Sequence, residues 1–278
     1  MRVWVDGPQD ARIAEYRDVR DPELVRSRGL FVAEGRRVVE RLIEDGRYIL
    51  RSLLLNQAAH RALEPALARV GDDVPIYLCG PIDCSAIVGF KMHRGCLALV
   101  ERPQPTSCAT LVDSARRLVI LEGVTDADNV GGVFRNAAAF AADAVLLSPN
   151  TCDPLYRKAI RTSMAATLEV PFARAEPWPD VLAEIGAQLT VVALTPCEPA
   201  ITLDEFVSRG VPDRLALLVG GEGFGLTAAA LARAHCTVRI PITATVDSLN
   251  LAVAAGIALS RLGHSRRFEE TASAKVPR

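Results

Sequence analysis

Apolar residues in the second half of this chain gather in short, nearly unbroken runs, with helical patterns between them. The runs Leu118–Leu121, Ala144–Leu147, Val170–Ala173, Leu189–Leu194, Leu215–Val219 and Thr237–Ile240 predict strands. Helices are predicted at Val130–Ala141, Pro154–Ala165, Pro179–Gly186 and Thr227–Ala234, with a last helix opening near Asn250. Strands without polar alternation, joined through helices, imply a parallel sheet covered on both faces. A ligand site is then expected at the carboxyl ends of the strands.

The first hundred residues carry a smaller α/β pattern. Residues 8–28 read as surface helices, with Asp21-Pro22 as cap and first-turn proline of the second. Strands at Leu30–Ala33, Tyr48–Leu55, Val74–Cys79 and Gly95–Val100 alternate with helices at Glu34–Asp45, Gln57–Val70 and Ile82–Val88. The stretch RPQPTSCAT, residues 102–110, has two prolines and no apolar period, which marks a linker. The predicted fold class is therefore α/β in two domains: 1–101, and 111–264 with a parallel sheet, followed by a polar tail at 265–278.

Composition narrows the partners. At 278 residues, 50% hydrophobic and a net charge of −1, the chain suits a globular protein of two domains. Net charge alone does not point to nucleic acid. All basic residues but Lys91, Lys158 and Lys275 are arginine, however, and they cluster at Arg36-Arg37, at Arg157-Lys158 with Arg161, and at Arg266-Arg267. Each cluster reads either as a solvated face or as a set of phosphate contacts. Seven cysteines form no CxxC pair and four histidines show no ligand spacing, so no metal site is predicted. The thiols read as reduced and mostly buried, hence cytoplasmic. The charged N-terminus lacks a signal-peptide core, and the apolar run at Leu249–Leu259 is too short to cross a bilayer.

Four stretches could carry chemistry. In LEGVTDADNVGGVFRNAAAF, residues 121–140, Asn129 opens a helix bearing Arg135 in its second turn, a place suited to an anion. The alternative is that Arg135 pairs with Asp126 or Asp128 and Asn129 caps the helix. In residues 150–166, Arg157, Lys158 and Arg161 share helical spacing and could grip a nucleic-acid backbone. In GGEGFG, Gly220, Gly221 and Gly223 allow close backbone approach and Glu222 is the one carboxylate. This is neither GxGxxG nor a P-loop and follows a late strand, which disfavours an ordinary dinucleotide fold. In RIPITATVDSLNLAVA, residues 239–254, Asp247 or Ser248 reads as the cap of the last helix, with Asn250 in its first turn.

Taken jointly, Asn129-x-Gly131-x-x-x-Arg135, Arg161-x-Ser163, GGEGFGL at 220–226, and Ile240-Pro241 through Ser248-Leu249-Asn250 resemble the SpoU/TrmH branch of the SPOUT RNA methyltransferases over roughly residues 117–262. The first domain is similar, more loosely, to the ribosomal-protein-like substrate-binding domain that precedes many of them. The resemblance implies a trefoil-knotted domain, a homodimer formed through it, S-adenosylmethionine as methyl donor, and methylation of a ribose 2′-hydroxyl in structured RNA. Gly220, Ile240 and Leu249 then match positions whose backbone holds the donor, and Asn129, Arg135, Glu222, Ser248 and Asn250 match the catalytic pocket. Ala141 departs from the family's glycine at the end of the first motif. An arginine is a poor base. Arg135 is therefore expected to be an electrostatic clamp on the neighbouring phosphate and the developing alkoxide, oriented by Glu222 and Asn129. The competing classes are a non-catalytic RNA-binding protein on this fold and a nucleotide-dependent oxidoreductase.

Overall fold

The structure, a computed structural model, describes residues 2–5, 7–17, 21–80, 87, 95–197 and 199–262. They form two compact units, and the division is not linear in sequence. The first takes the chain up to Gln104 together with Asp153–Leu168, and the second takes Pro105–Cys152 and the chain from Glu169 onward.

In the first unit, β1 (Arg2–Trp4), a 3₁₀ turn (Ala11–Tyr16), α1 (Asp21–Ser27), β2 (Leu30–Glu34) and α2 (Arg36–Asp45) precede β3 (Leu50–Asn56). Then come α3 (Gln57–Ala62), α4 (Glu64–Leu67), β4 (Ile76–Cys79) and β5 (Cys96–Glu101). The sheet order is β1-β4-β3-β5-β2, with β5 antiparallel to both its neighbours. The helix predicted at Gln57–Val70 is broken at Leu63, and Pro65 opens the shorter α4. Glu34 is not helical as expected but ends β2, because Gly35 at φ 105° turns the chain before α2 begins. The buried Tyr16 hydroxyl lies 2.8 Å from Ser52 Oγ, and burial raises its pKa well above the ordinary tyrosine value. Cys79 is disulfide-bonded, which corrects the expectation that all thiols are reduced; the absence of a CxxC pair gave no sign of it. The predicted helix at 82–88 (Ile87 aside) and the tail lie outside the described residues.

The helix Arg157–Thr162 belongs to this unit and packs beside β2. Arg157 Nη1 sits 2.9 Å from the buried Glu34 Oε2, and Arg161 Nη1 reaches the same oxygen at 3.5 Å. The Arg157 amide donates to Asp21 Oδ2 at 3.0 Å. Burial lifts the Asp21 carboxyl above the usual range, although Arg157 opposes the shift.

The second unit is a seven-stranded, wholly parallel sheet of β6 (Arg117–Glu122), β7 (Ala144–Leu147), β8 (Phe172–Arg174), β9 (Thr190–Leu194), β10 (Ile201–Thr202), β11 (Leu215–Gly220) and β12 (Cys236–Arg239), in the order β10-β12-β9-β11-β6-β7-β8. Its helices are α5 (Cys108–Ser114), α6 (Ala127–Ala139), α8 (Val181–Gly186), α9 (Leu203–Ser208), α10 (Ala228–Leu231) and α11 (Leu251–Leu262), the Arg157–Thr162 helix being α7. Leu118, Ile120, Leu146, Val191, Ala216 and Leu218 on one face form a core with α5, α8 and Ala230 of α10. The alternate residues Val119, Leu121, Val145 and Leu217 are as deeply buried. That period of two within apolar runs is what a sheet covered on both faces requires. Neither β10 nor α9 was foreseen, since a two-residue strand and a six-residue helix between Pro199 and Pro212 leave little period to read.

Helices α6 and α11 pack closely where they meet. A Cβ on Gly132 would lie 2.6 Å from that of Ala252, and Asn136 Nδ2 donates to the Ala252 carbonyl at 2.6 Å. The buried Arg117 guanidinium ties the end of α11 to the crossover before β11, donating to Leu262 O at 3.0 Å and Asp213 O at 2.8 Å. Ala141, at the family's glycine position, holds a left-handed φ of 52°, a conformation costing an L-residue roughly 1–2 kcal/mol. Among the described residues, no helix is long and apolar enough to cross a membrane.

Gly132→Val should lower the unfolding free energy of the full chain by about 1–3 kcal/mol, the cost of overpacking, and Ala252→Gly in the same chain should restore part of it. Urea unfolding measures both, and a Gly132→Val chain as stable as wild type would refute the tight crossing.

Candidate active site

Strands β9, β11 and β12 end close together, and residues of the segments that follow them wall a cleft of about 410 Å³. Leu194 ends β9 and Thr195 and Pro196 follow it, the glycine loop follows β11, and Ile240, Ile242 and Ser248 to Leu251 follow β12. The site thus lies at the carboxyl edge of the sheet, where a parallel fold leaves backbone groups free.

One buried glutamate holds the glycine loop at both ends. Glu122 ends β6 in register with Gly220, and its carbonyl accepts from the Gly221 amide at 2.8 Å. Its carboxylate accepts from Thr227 N at 2.9 Å, Thr227 Oγ1 at 2.7 Å and Trp178 Nε1 at 2.8 Å. Thr227 in turn caps α10. Between these anchors the Gly225 amide donates to Gly221 O at 3.0 Å. A Cβ at Gly220 would come within 2.3 Å of the Gly225 carbonyl carbon, and one at Gly221 within 2.4 Å of Gly123 O. These glycines are required by the loop's packing against its own chain, whatever ligand it meets.

The polar residues converge on Asn250. Its Oδ1 accepts from Ala252 N at 3.0 Å and Val253 N at 3.2 Å, so Asn250 itself caps α11, in place of the expected Asp247 or Ser248. Its Nδ2 donates to Asn129 Oδ1 at 2.8 Å and Glu222 Oε1 at 3.2 Å. Every polar position of this amide is used. An aspartate would keep the cap but lose both donors and set a second carboxylate against Glu222. Asn129 is buried and does not cap α6, a role Asp126 takes by accepting from Asp128 N. The two N–H donors of Asn129 have no protein partner among the described residues.

Gly220, Gly221, Gly223, Glu222, Ile240, Ser248, Leu249 and Asn250 all line the cleft. Arg135 does not. It is exposed on α6 and, among the described residues, pairs with neither Asp126, Asp128, Asn129 nor Glu222. Arg135 lies six residues beyond Asn129, about 9 Å along the helix axis and about 120° round it, so the expected orientation by Glu222 and Asn129 is not made within this chain. Arg36 and Arg37 are exposed in the first turn of α2, Lys158 is exposed on α7, and Arg157 and Arg161 share Glu34. Among the described residues, Glu222 is the one charged residue in the cleft wall. That composition suits a neutral or cationic ligand and opposes the pyrophosphate of a dinucleotide. Glu122, Thr227 and Trp178 were missed by sequence reasoning; the only signal was a carboxylate closing an apolar run.

Residues 116–260 match the SpoU rRNA Methylase family. An uncharacterised tRNA/rRNA methyltransferase of Mycobacterium tuberculosis is 40% identical over 267 residues, covering 92% of this chain and 91% of its own. The 23S rRNA (guanosine(2553)-2′-O)-methyltransferase of Bacillus subtilis is 22% identical over 258 residues, covering 93% and 98%. Among solved structures, the AdoMet-bound rRNA methyltransferase of Sinorhizobium meliloti shares the fold, with a TM-score of 0.78 at 23% identity over 96% of this chain and 98% of that one. An RNA 2′-O ribose methyltransferase gives a TM-score of 0.72 at 25% identity over 94% and 98%. With the family's span covering the whole cleft and its polar residues, and a relative alike over nearly the full length, the chain belongs to the SpoU rRNA methylase family.

Proposed function

We propose that this RNA methyltransferase transfers the methyl group of S-adenosylmethionine to a ribose 2′-hydroxyl of a structured ribosomal or transfer RNA. The observation that carries the reading is the hydrogen-bonded set Asn129–Asn250–Glu222 at a cleft whose only charge, among the described residues, is a carboxylate. The cleft suits the donor: it lies in the size range of small-molecule sites, its wall mixes glycine backbone with Leu194, Ile240 and Leu249, and Glu222 complements a cation. When bound there, the donor supplies a methyl group activated on a sulfonium.

The chain's own residues then have distinct tasks. The backbone of Gly220–Gly223, Ile240 and Leu249 holds the donor, while Glu122 keeps the glycine loop in place. Asn250 fixes Asn129 and Glu222, leaving the Asn129 donors and the Ser248 hydroxyl for the ribose. Arg135, always charged and exposed outside the cleft, meets the adjacent phosphate. In the first unit, Arg36 and Arg37 supply phosphate contacts that position the RNA. The path of α11, from β12 onto α6 and α9 and ending where Arg117 joins Leu262 to Asp213, supports the knotted topology. Val253 and Ile257, a turn apart on α11 and 51% and 37% exposed, support a homodimer through this unit. The cytoplasm, where such RNA is found, is the compartment this reading implies.

Arg135→Ala should slow methyl transfer at least about 100-fold while leaving donor affinity nearly unchanged, as rapid-quench rates and calorimetry would report. Near-normal turnover would sink its assignment. Asn250→Asp, which keeps the helix cap, should cost at least about 100-fold in rate with little change in melting temperature; an active variant would remove the amide from the mechanism. Joint Val253→Asp and Ile257→Asp substitution should halve the mass seen by light scattering, and an unchanged mass would place the interface elsewhere.

A further inference from the structure

Phe224 stands in the glycine loop with its side chain wholly in solvent, 102% exposed, while the other exposed large apolar residues among those described range from 37% to 62%. The loop beneath it is held at its neck. Gly221 and Gly225 bridge across its neck, Glu122 anchors both ends, and Gly223 and Gly225 flank the ring at φ 90° and 65°. A loop that carries a large apolar ring into water gains nothing from it within the described residues.

The position says what the ring could meet. Glu222 lines the cleft, and Phe224 lies two residues further on, at most about 7 Å of chain, within reach of the nucleotide next to one whose ribose enters the cleft. Among the described residues, no aromatic one lines the cleft and its one charge is negative, so this wall does not grip a polyanion by charge. A base offers an uncharged π-face, which an aromatic ring recognises whatever the base.

Resting on the RNA methyl transfer proposed above, we infer that Phe224 is a stacking platform for an RNA base beside the nucleotide whose ribose enters the cleft. The ring contributes to substrate binding and leaves the donor site and self-association untouched.

The test uses the full chain, tritiated S-adenosylmethionine, and total ribosomal and transfer RNA from cells lacking this protein. Phe224→Ala should lower kcat/KM for RNA by roughly 5- to 150-fold, and Phe224→Trp should stay within about threefold of wild type, as the loss or retention of one stacked base requires. Donor affinity by calorimetry and mass by light scattering should not move. An unchanged kcat/KM in Phe224→Ala would overturn the inference. An equal loss of donor affinity would assign the ring to the donor, and a change of mass would assign it to self-association; either overturns it too. A wild-type chain that transfers no methyl group to this RNA would overturn the RNA reading itself, and this inference with it.

Discussion

The geometry of the cleft rests on how closely α6 and α11 approach each other. Asn129 and Asn250 are 121 positions apart in sequence, yet their side chains meet at 2.8 Å because each begins a helix and the two helices touch one turn further in. Gly132 against Ala252 sets the separation, and Asn136 on the Ala252 carbonyl sets the rotation of α11 about its axis. Any side chain at 132 would spread the helix starts. The hydrogen bond at their tips would be lost before the sheet beneath was disturbed, since bonds of this kind weaken within a few tenths of an ångström.

A second constraint fixes the loop that faces those helix starts. Glu122 and Glu222 follow apolar runs at adjacent strand ends, β6 and β11, and their environments divide their roles. Glu122 is buried and its carboxylate is occupied by Thr227 and Trp178, all neutral donors. Removing those donors would leave a buried charge without compensation, so the loop stays where the carboxylate needs it. Glu222 stands in the cleft wall, where its carboxylate accepts from the Asn250 amide, and can respond to a ligand.

That division shows what the sequence could and could not tell. The parallel sheet was legible because its strands are apolar on both faces, and the site's location followed from the sheet. Edge strands of two or three residues, β10 and β1, carry no such pattern. The polar motif residues could be named, but their partners lie far away in the chain. Nothing near Arg157 announces Glu34, 123 positions earlier, and nothing near Asn250 distinguishes a cap from a neighbour of a cap. Asn250 is both cap and bridge, a double use that only the packed helices explain.

The distribution of charge joins these points to the reaction proposed. A phosphate about 5 Å from Glu222, at an effective dielectric of about 20, would be repelled by roughly 3 kcal/mol. A ribose, being neutral, meets no such barrier. In the reaction proposed, the cleft wall would therefore sort the parts of a nucleotide: sugar inside with the cationic donor, phosphate outside where Arg135 is exposed. Placing the arginine within the wall would cancel the carboxylate and repel the sulfonium. Its exposure on α6 is thus what the charges of the proposed donor and substrate would together demand, and an uncharged ring on the glycine loop would upset neither.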